Sequence, residues 1–140
     1  MILVLDANVL AKWFIEEEDS DKALEIRDQY VRGKFGIVIP TLSIYELGNT
    51  FWKHPTKTPE DVGRDFTALG DMGLVFEDHR DPEGLASIFD LAKRLGITFY
   101  DAVYVNTALK RRGKFVTADE GLYNKVKESV STSLLKDWGT

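Results

Sequence analysis

Apolar positions along this chain follow two alternating rhythms. Short unbroken runs, Ile2 to Leu5, Ile37-Val38-Ile39, Leu74-Val75-Phe76 and Lys114-Phe115-Val116, read as buried strands, and Ser131 to Leu135 is a candidate fifth. Between them, apolar residues recur with the i, i+3, i+4, i+7 spacing of an amphipathic helix, as Tyr100, Val103, Tyr104, Thr107 and Ala108 do. That period predicts helices over Asn8–Ile15, from about Asp21 to Arg32, from Pro40 to about His54, over Pro59–Leu69, from Asp81-Pro82 to Gly96, over Phe99–Arg112 and over Glu120–Glu128. Punctuation agrees: Ser20 is placed to cap the second helix, Gly33 and Gly36 bracket a turn, and Pro55 and Pro59 mark a breaker-rich link. Trp13, Phe14, Phe51 and Trp52 are expected in the core, some of them lining a groove for a partner helix.

Strands separated by helices imply βαβ crossovers and a mainly parallel sheet of four to five strands, covered on both faces. The length of 140 residues suits one α/β domain over residues 1–140. The apolar start is too short for a signal peptide and no run reaches the ~18 residues of a membrane span, so a cytoplasmic protein is expected. In open parallel sheets, ligands bind outside the carboxyl ends of the strands.

Four acids map to that edge. Asp6 follows the first strand, Glu46 lies in the first turns of the helix after the second, Asp101 opens the helix before the fourth, and Asp119 follows the fourth. Each also has a local reading. Asp6 and Asp119 can be N-caps, and Ser43 with Glu46, like Thr98 with Asp101, fits a capping box. Yet all four edge positions carry an acid where Ser, Thr or Asn would cap equally well. Four carboxylates in one crevice repel each other unless cations neutralise them.

Composition narrows the chemistry. With no cysteine, and with His54 and His79 far apart, thiolate zinc sites and cysteine nucleophiles are excluded, and any metal is held by oxygen, which favours Mg²⁺ or Mn²⁺. Such an ion acidifies water for in-line attack on phosphorus and stabilises the leaving oxygen. The formal net charge of −5 argues against a general polyanion coat, without excluding a nucleic acid substrate.

Four stretches carry a family resemblance: Val4-Leu5-Asp6-Ala7-Asn8-Val9-Leu10-Ala11-Lys12-Trp13-Phe14, Tyr45-Glu46-Leu47-Gly48-Asn49, Tyr100-Asp101-Ala102-Val103-Tyr104, and Val116-Thr117-Ala118-Asp119-Glu120-Gly121-Leu122-Tyr123. In this order and spacing the chain resembles PIN-domain proteins, and within them the VapC toxin ribonucleases. The resemblance implies a three-layer α/β/α fold and an Mg²⁺- or Mn²⁺-dependent endoribonuclease. It implies that Asp6 and Asp101 touch the metal most directly, with Glu46 and Asp119 completing the cluster directly or through water. Asn8 and Thr117 match positions that support the site from behind. It further implies a homodimer and a cognate antitoxin that holds the nuclease inactive. The stretch Lys53 to Leu69 matches no family motif, and Asp119 is followed by a second acid, Glu120.

Two basic features remain. Lys12 lies about two turns into the first helix and is the candidate substrate contact. The run Lys110-Arg111-Arg112 with Lys114 lies at the far end of the helix begun by Asp101, about 15 Å from the acid edge, and reads better as favourable helix C-terminal charge than as an RNA contact. A haloacid-dehalogenase-type phosphatase needs an aspartate where Asn8 stands, and the third strand leads to Glu77-Asp78 without the rest of a receiver-domain pattern. The alternatives left open are a catalytically inactive RNA- or protein-binding module and a housekeeping RNA-processing nuclease without an antitoxin.

Overall fold

A computed structural model describes residues 1–140. Five strands, β1 (Ile2–Leu5), β2 (Gly36–Pro40), β3 (Val75–Glu77), β4 (Lys114–Thr117) and β5 (Thr132–Leu134), form one sheet in the order β3-β2-β1-β4-β5. All four pairings are parallel, with Val4 opposite Val38 and Phe115. Side chains of successive strand residues alternate between faces. Leu3, Leu5, Ile37, Ile39 and Val116 therefore enter one core, while Val4 and Phe115 enter another.

Helices α1 (Ala7–Ala11), α2 (Ser20–Val31), α3 (Leu42–Lys53) and α4 (Pro59–Asp71) close the first core through residues such as Leu10, Ile26, Leu47, Phe51 and Leu69. Helices α5 (Pro82–Leu95), α6 (Phe99–Arg111) and α7 (Glu120–Val126) close the second through Ile88, Ala102, Val105 and Val126. The result is a three-layer α/β/α sandwich. No helix is long and apolar enough to cross a membrane.

The connectivity decides where a ligand fits. From β1 the chain winds outward through β2 to β3 with its helices on one face, then returns to β4 on the other side of β1 with its helices on the opposite face. The order reverses between β1 and β4, and at such a switch point the diverging connections leave a crevice at the carboxyl ends. Asp6 leaves β1 there, its N–H bonded to the Val116 carbonyl of β4 at 2.9 Å.

Local starts and stops mostly follow the chain's chemistry. Gly96 takes φ +65° at the end of α5, a conformation that costs glycine little. Thr58 and Asp61 form a reciprocal capping box at the start of α4. Three expectations are corrected. The first helix stops at Ala11 and continues to Phe14 only as turns, because the Trp13 indole donates to the Ala23 carbonyl at 2.8 Å and bends the chain onto α2. Ser20 does not cap α2; its hydroxyl accepts from Glu17 N–H and donates to the Ile15 carbonyl, bracing the acidic link before it. Trp52 is not core: it is 80% exposed, whereas its neighbour Phe51 is buried.

A candidate metal site of four carboxylates

Each predicted acid is delivered to the carboxyl edge by a different element. The cavity they share holds about 480 Å³ and is lined by Asp6, Glu46, Asp101 and Asp119, with Asn8 and Tyr100 among its other walls. No basic side chain lines it.

Asp6 is the deepest, only 7% exposed. It stands at the N-cap position of α1 yet makes no capping hydrogen bond, so the local reading of this residue fails. Its support comes from β4 instead. Thr117 donates to Asp6 Oδ2 at 2.8 Å and accepts from the Asp119 N–H at 3.0 Å. Asn8 donates to the Thr117 hydroxyl at 3.5 Å and accepts the Ala118 N–H at 3.1 Å. A hydroxyl has one proton and two acceptor positions, and all three are used. Asn8 and Thr117 thus buttress Asp6 across the switch point.

Glu46 is held by a relay that sequence patterns do not register. The Tyr104 hydroxyl donates to Glu46 Oε1 at 2.6 Å and accepts from Ser43 Oγ at 3.1 Å. Ser43 is therefore not in a capping box with Glu46; it is buried and serves Tyr104. Burial and the neighbouring Asp6 charge push the Tyr104 phenol well above its ordinary pKa, so it remains a donor. Thr98 accepts the Asp101 N–H at 3.0 Å, which fixes the start of α6. Asp119, by contrast, caps α7: its Oδ1 accepts the Leu122 N–H at 3.0 Å. Its capping reading holds alongside its place in the cavity wall.

The electrostatics separate this group from ordinary surface acids. Burial raises the Asp6 carboxyl from 3.8 to about 7, helped by the charges of Asp101 and Glu46 and opposed by the Thr117 hydrogen bond. Burial likewise raises Glu46, with Asp101 adding to the effect against the Tyr104 bond. Asp101 is raised by burial and by Asp119, against Thr98 and a more remote Lys125. Asp101 is thus the hub, electrostatically linked to each of the other three. Carboxylates held this way are under-neutralised, the condition a bound cation relieves.

Whether the donors fit a divalent ion follows from their number and hardness. All are carboxylate oxygens, but no three acidic or histidine side chains stand together as a closed ligand set. The donor set is hard oxygen alone, without the nitrogen or sulfur ligands of structural zinc sites. It fits Mg²⁺ or Mn²⁺, which keep several waters and take only one or two carboxylates directly.

The structure does not bring Lys12 to this cavity. Its side chain is only 10% exposed, and its ammonium pairs with Glu17 at 3.1 Å rather than facing the cavity. The Lys110 and Arg111 side chains also have an internal task, each lying 3.4 Å from Glu77 Oε1 at the end of β3. Neither is merely helix C-terminal charge.

Comparison with known proteins matches residues 3–128 to the PIN domain. Over 134 residues the chain is 31% identical to "Ribonuclease VapC3" of Pyrobaculum aerophilum, covering 94% of this chain and 99% of that protein. It is 30% identical over 108 residues to "Exonuclease VapC9" of the same organism, covering 77% and 80% respectively. Among solved structures, a toxin–antitoxin complex from Klebsiella pneumoniae contains a chain of similar fold, with a TM-score of 0.68 at 15% identity over 95% of this chain and 97% of that one.

Proposed function

The chain belongs to the PIN domain family, and on that premise we propose that it is, as one domain, a divalent-metal-dependent endoribonuclease and the toxin of a toxin–antitoxin pair. The observation that carries the reading is the set of three buried or half-buried carboxylates, Asp6, Glu46 and Asp101, all raised in pKa around a cavity without a cation of its own. A stable fold has no need of such a cluster, since each member raises the cost of ionising the next.

In this reading Asp6 and Asp101 hold Mg²⁺ or Mn²⁺ most directly, and Glu46 and Asp119 complete the set directly or through water. The ion supplies Lewis acidity toward phosphate oxygens and an acidified water. The protein's own residues do the rest. Thr117 and Asn8 fix the rotamer of Asp6, Tyr104 fixes Glu46, and Thr98 anchors the helix turn that presents Asp101. Asp119 is the solvent-exposed member of the set and lines the cavity beside Asp101.

RNA is the preferred substrate because the relative matched over nearly its whole length is named a ribonuclease. The other relative is named an exonuclease, so endonucleolytic attack needs its own test. A circular single-stranded RNA serves: an endonuclease linearises it, an exonuclease leaves it intact. The expected result is linearisation with Mg²⁺ or Mn²⁺, none in excess EDTA, and none by an Asp6→Asn variant that melts normally. Cleavage surviving EDTA would overturn the metal-dependent reading.

The toxin assignment draws on the VapC names and on the toxin–antitoxin complex of similar fold. Exposed Trp52 on α3 supports a protein partner, either an antitoxin segment or a second copy of the chain. Induction of this chain alone should arrest growth, and Asp101→Asn should abolish the arrest.

A further inference from the structure

Two smaller hollows adjoin the acid cavity on opposite sides. One, of about 220 Å³, shares Leu42, Tyr45 and Tyr100 with it. The other, of about 230 Å³, shares Asp101 and Asp119 and is closed by Lys125 of α7. The three together form a groove along the carboxyl edge, aromatic at one end, acidic in the middle and basic at the other.

The aromatic end is unusual for a folded surface. Tyr45 and Tyr100 are 76% and 60% exposed, and neither ring stacks on another aromatic side chain. Each immediately precedes one of the cavity acids, Glu46 and Asp101, so the helix turn that presents the carboxylate also presents the ring. At the other end, Lys125 is the only lysine or arginine lining any of the three hollows. Its ammonium donates to the Gly96 carbonyl at 3.2 Å, forms no ion pair, and keeps donors free for a ligand.

We propose that this groove carries a single nucleic acid strand, with an unpaired base stacked on Tyr45 and Tyr100 on one side of the scissile phosphate and Lys125 bonded to a backbone phosphate on the other. The inference rests on the ribonuclease reading and adds to it the residues that grip the strand. Every base has a π-face, so aromatic platforms bind single strands with little sequence preference. An uncharged base also suits the aromatic end of an acidic protein, where a phosphate would be repelled. A duplex cannot offer a base this way, because its bases are already stacked and paired.

The test uses a short single-stranded RNA carrying 2-aminopurine, walked along the sequence, with cleavage and fluorescence read in parallel in Mg²⁺. Wild-type cleavage reports on the ribonuclease reading. Fluorescence quenching reports stacking even if no cleavage occurs, so the two failures are distinguishable. Tyr45→Ala and Tyr100→Ala should each raise KM by about 5- to 150-fold and remove quenching at one position, while Tyr45→Phe and Tyr100→Phe retain both. Lys125→Ala should raise KM and flatten the dependence of log KM on log salt by about 0.7, with Lys125→Arg close to wild type. Alanine variants that melt normally and keep wild-type KM and quenching would overturn the proposal. So would a loss confined to binding of a protein partner, which would assign the aromatic end to an interface.

Discussion

Two regions of this protein bury carboxylates to nearly the same depth and treat them in opposite ways. Asp6 at the end of β1 is 7% exposed and Glu77 at the end of β3 is 8% exposed. Around Glu77 the fold gathers basic groups: the cations of Lys110 and Arg111 approach Oε1 at 3.4 Å, and the His79 ring nitrogen Nε2 lies 3.3 Å from Oε2. Burial resists ionisation there, but Thr107, Lys110, His79 and Arg111 outweigh it and hold the carboxyl below its ordinary pKa. Around Asp6 the fold gathers other carboxylates, and the pKa goes up. Burial alone therefore says little about what an acid is for. A carboxylate whose counter-charges come from the chain ties elements together, here β3 to α6. One whose neighbours are further carboxylates leaves its neutralisation to something that arrives from solution.

The largest expected contrast is in activity. Losing one metal-holding acid removes several kcal/mol of transition-state stabilisation, so Asp101→Asn should lower RNA cleavage on the order of 10³-fold or more. Glu77→Gln should leave the activity of the folded fraction within a few-fold of wild type. Single-turnover cleavage at matched folded concentration checks both, and comparable losses would erase the distinction between the regions.

The next contrast is in pH dependence without divalent ions. Asp6 titrates near 3.8 in the unfolded chain and near 7 in the fold, so the native state holds the extra proton across that window. Stability from the protonated form is complete below about pH 4 and is withdrawn as pH rises to about 7, a span worth on the order of 4 kcal/mol. Glu46 and Asp101 shift in the same direction. Glu77 runs the other way, its contribution present above its ordinary value of 4.5 and lost as pH falls through its depressed folded pKa. In EDTA the melting temperature should fall between pH 5 and pH 8, and Asp6→Asn should flatten that fall. A wild-type profile that rises over this range would contradict the carboxylate repulsion.

Stability at fixed pH gives a smaller effect. Glu77→Ala should cost about 1–3 kcal/mol, below the usual toll for breaking a buried pair because Lys110 and Arg111 can turn to water. For a chain of this size that lowers the melting temperature by roughly 2–4 °C per kcal/mol. Smallest of all is Lys12→Ala. Lys12 is largely buried but its partner Glu17 is 41% exposed, so a loss of up to about 1 kcal/mol and no change in RNA kinetics are expected.

Much of this architecture was legible because the signals were local. Strand runs, helix periods and the Gly96 stop are short-range patterns, and the parallel sheet follows from their alternation. The four acids could be found because each follows a strand or opens a helix, and the strand order then brings them to one cavity. What escaped is non-local. Tyr104 reaches Glu46 across 58 positions, so no window of a few residues shows that bond, and Thr117, which reaches Asp6 across 111, is expected at the site only through the family resemblance. Local capping rules assigned Ser43 to Glu46, whereas the buried Tyr104 hydroxyl claims it. The Glu77 cluster was hidden for the same reason, its cations Lys110 and Arg111 lying 33 and 34 positions away on α6. The aromatic character of Trp52 points to the core, but Ser43, Leu47 and Phe51 define the inner face of α3, and the next residue turns outward.

The central claim, that the Asp6 cavity takes its positive charge from a divalent ion and the Glu77 cluster does not, is tested most directly by calorimetric titration of Mn²⁺ into metal-free protein, with melting followed alongside. Wild type should bind Mn²⁺ and gain melting temperature; Glu77→Gln should start lower and gain by the same increment; Asp101→Asn should start higher in EDTA and gain little. If Asp101→Asn binds Mn²⁺ as wild type does, or melts below wild type in EDTA, the cavity is not the cation site this account makes it.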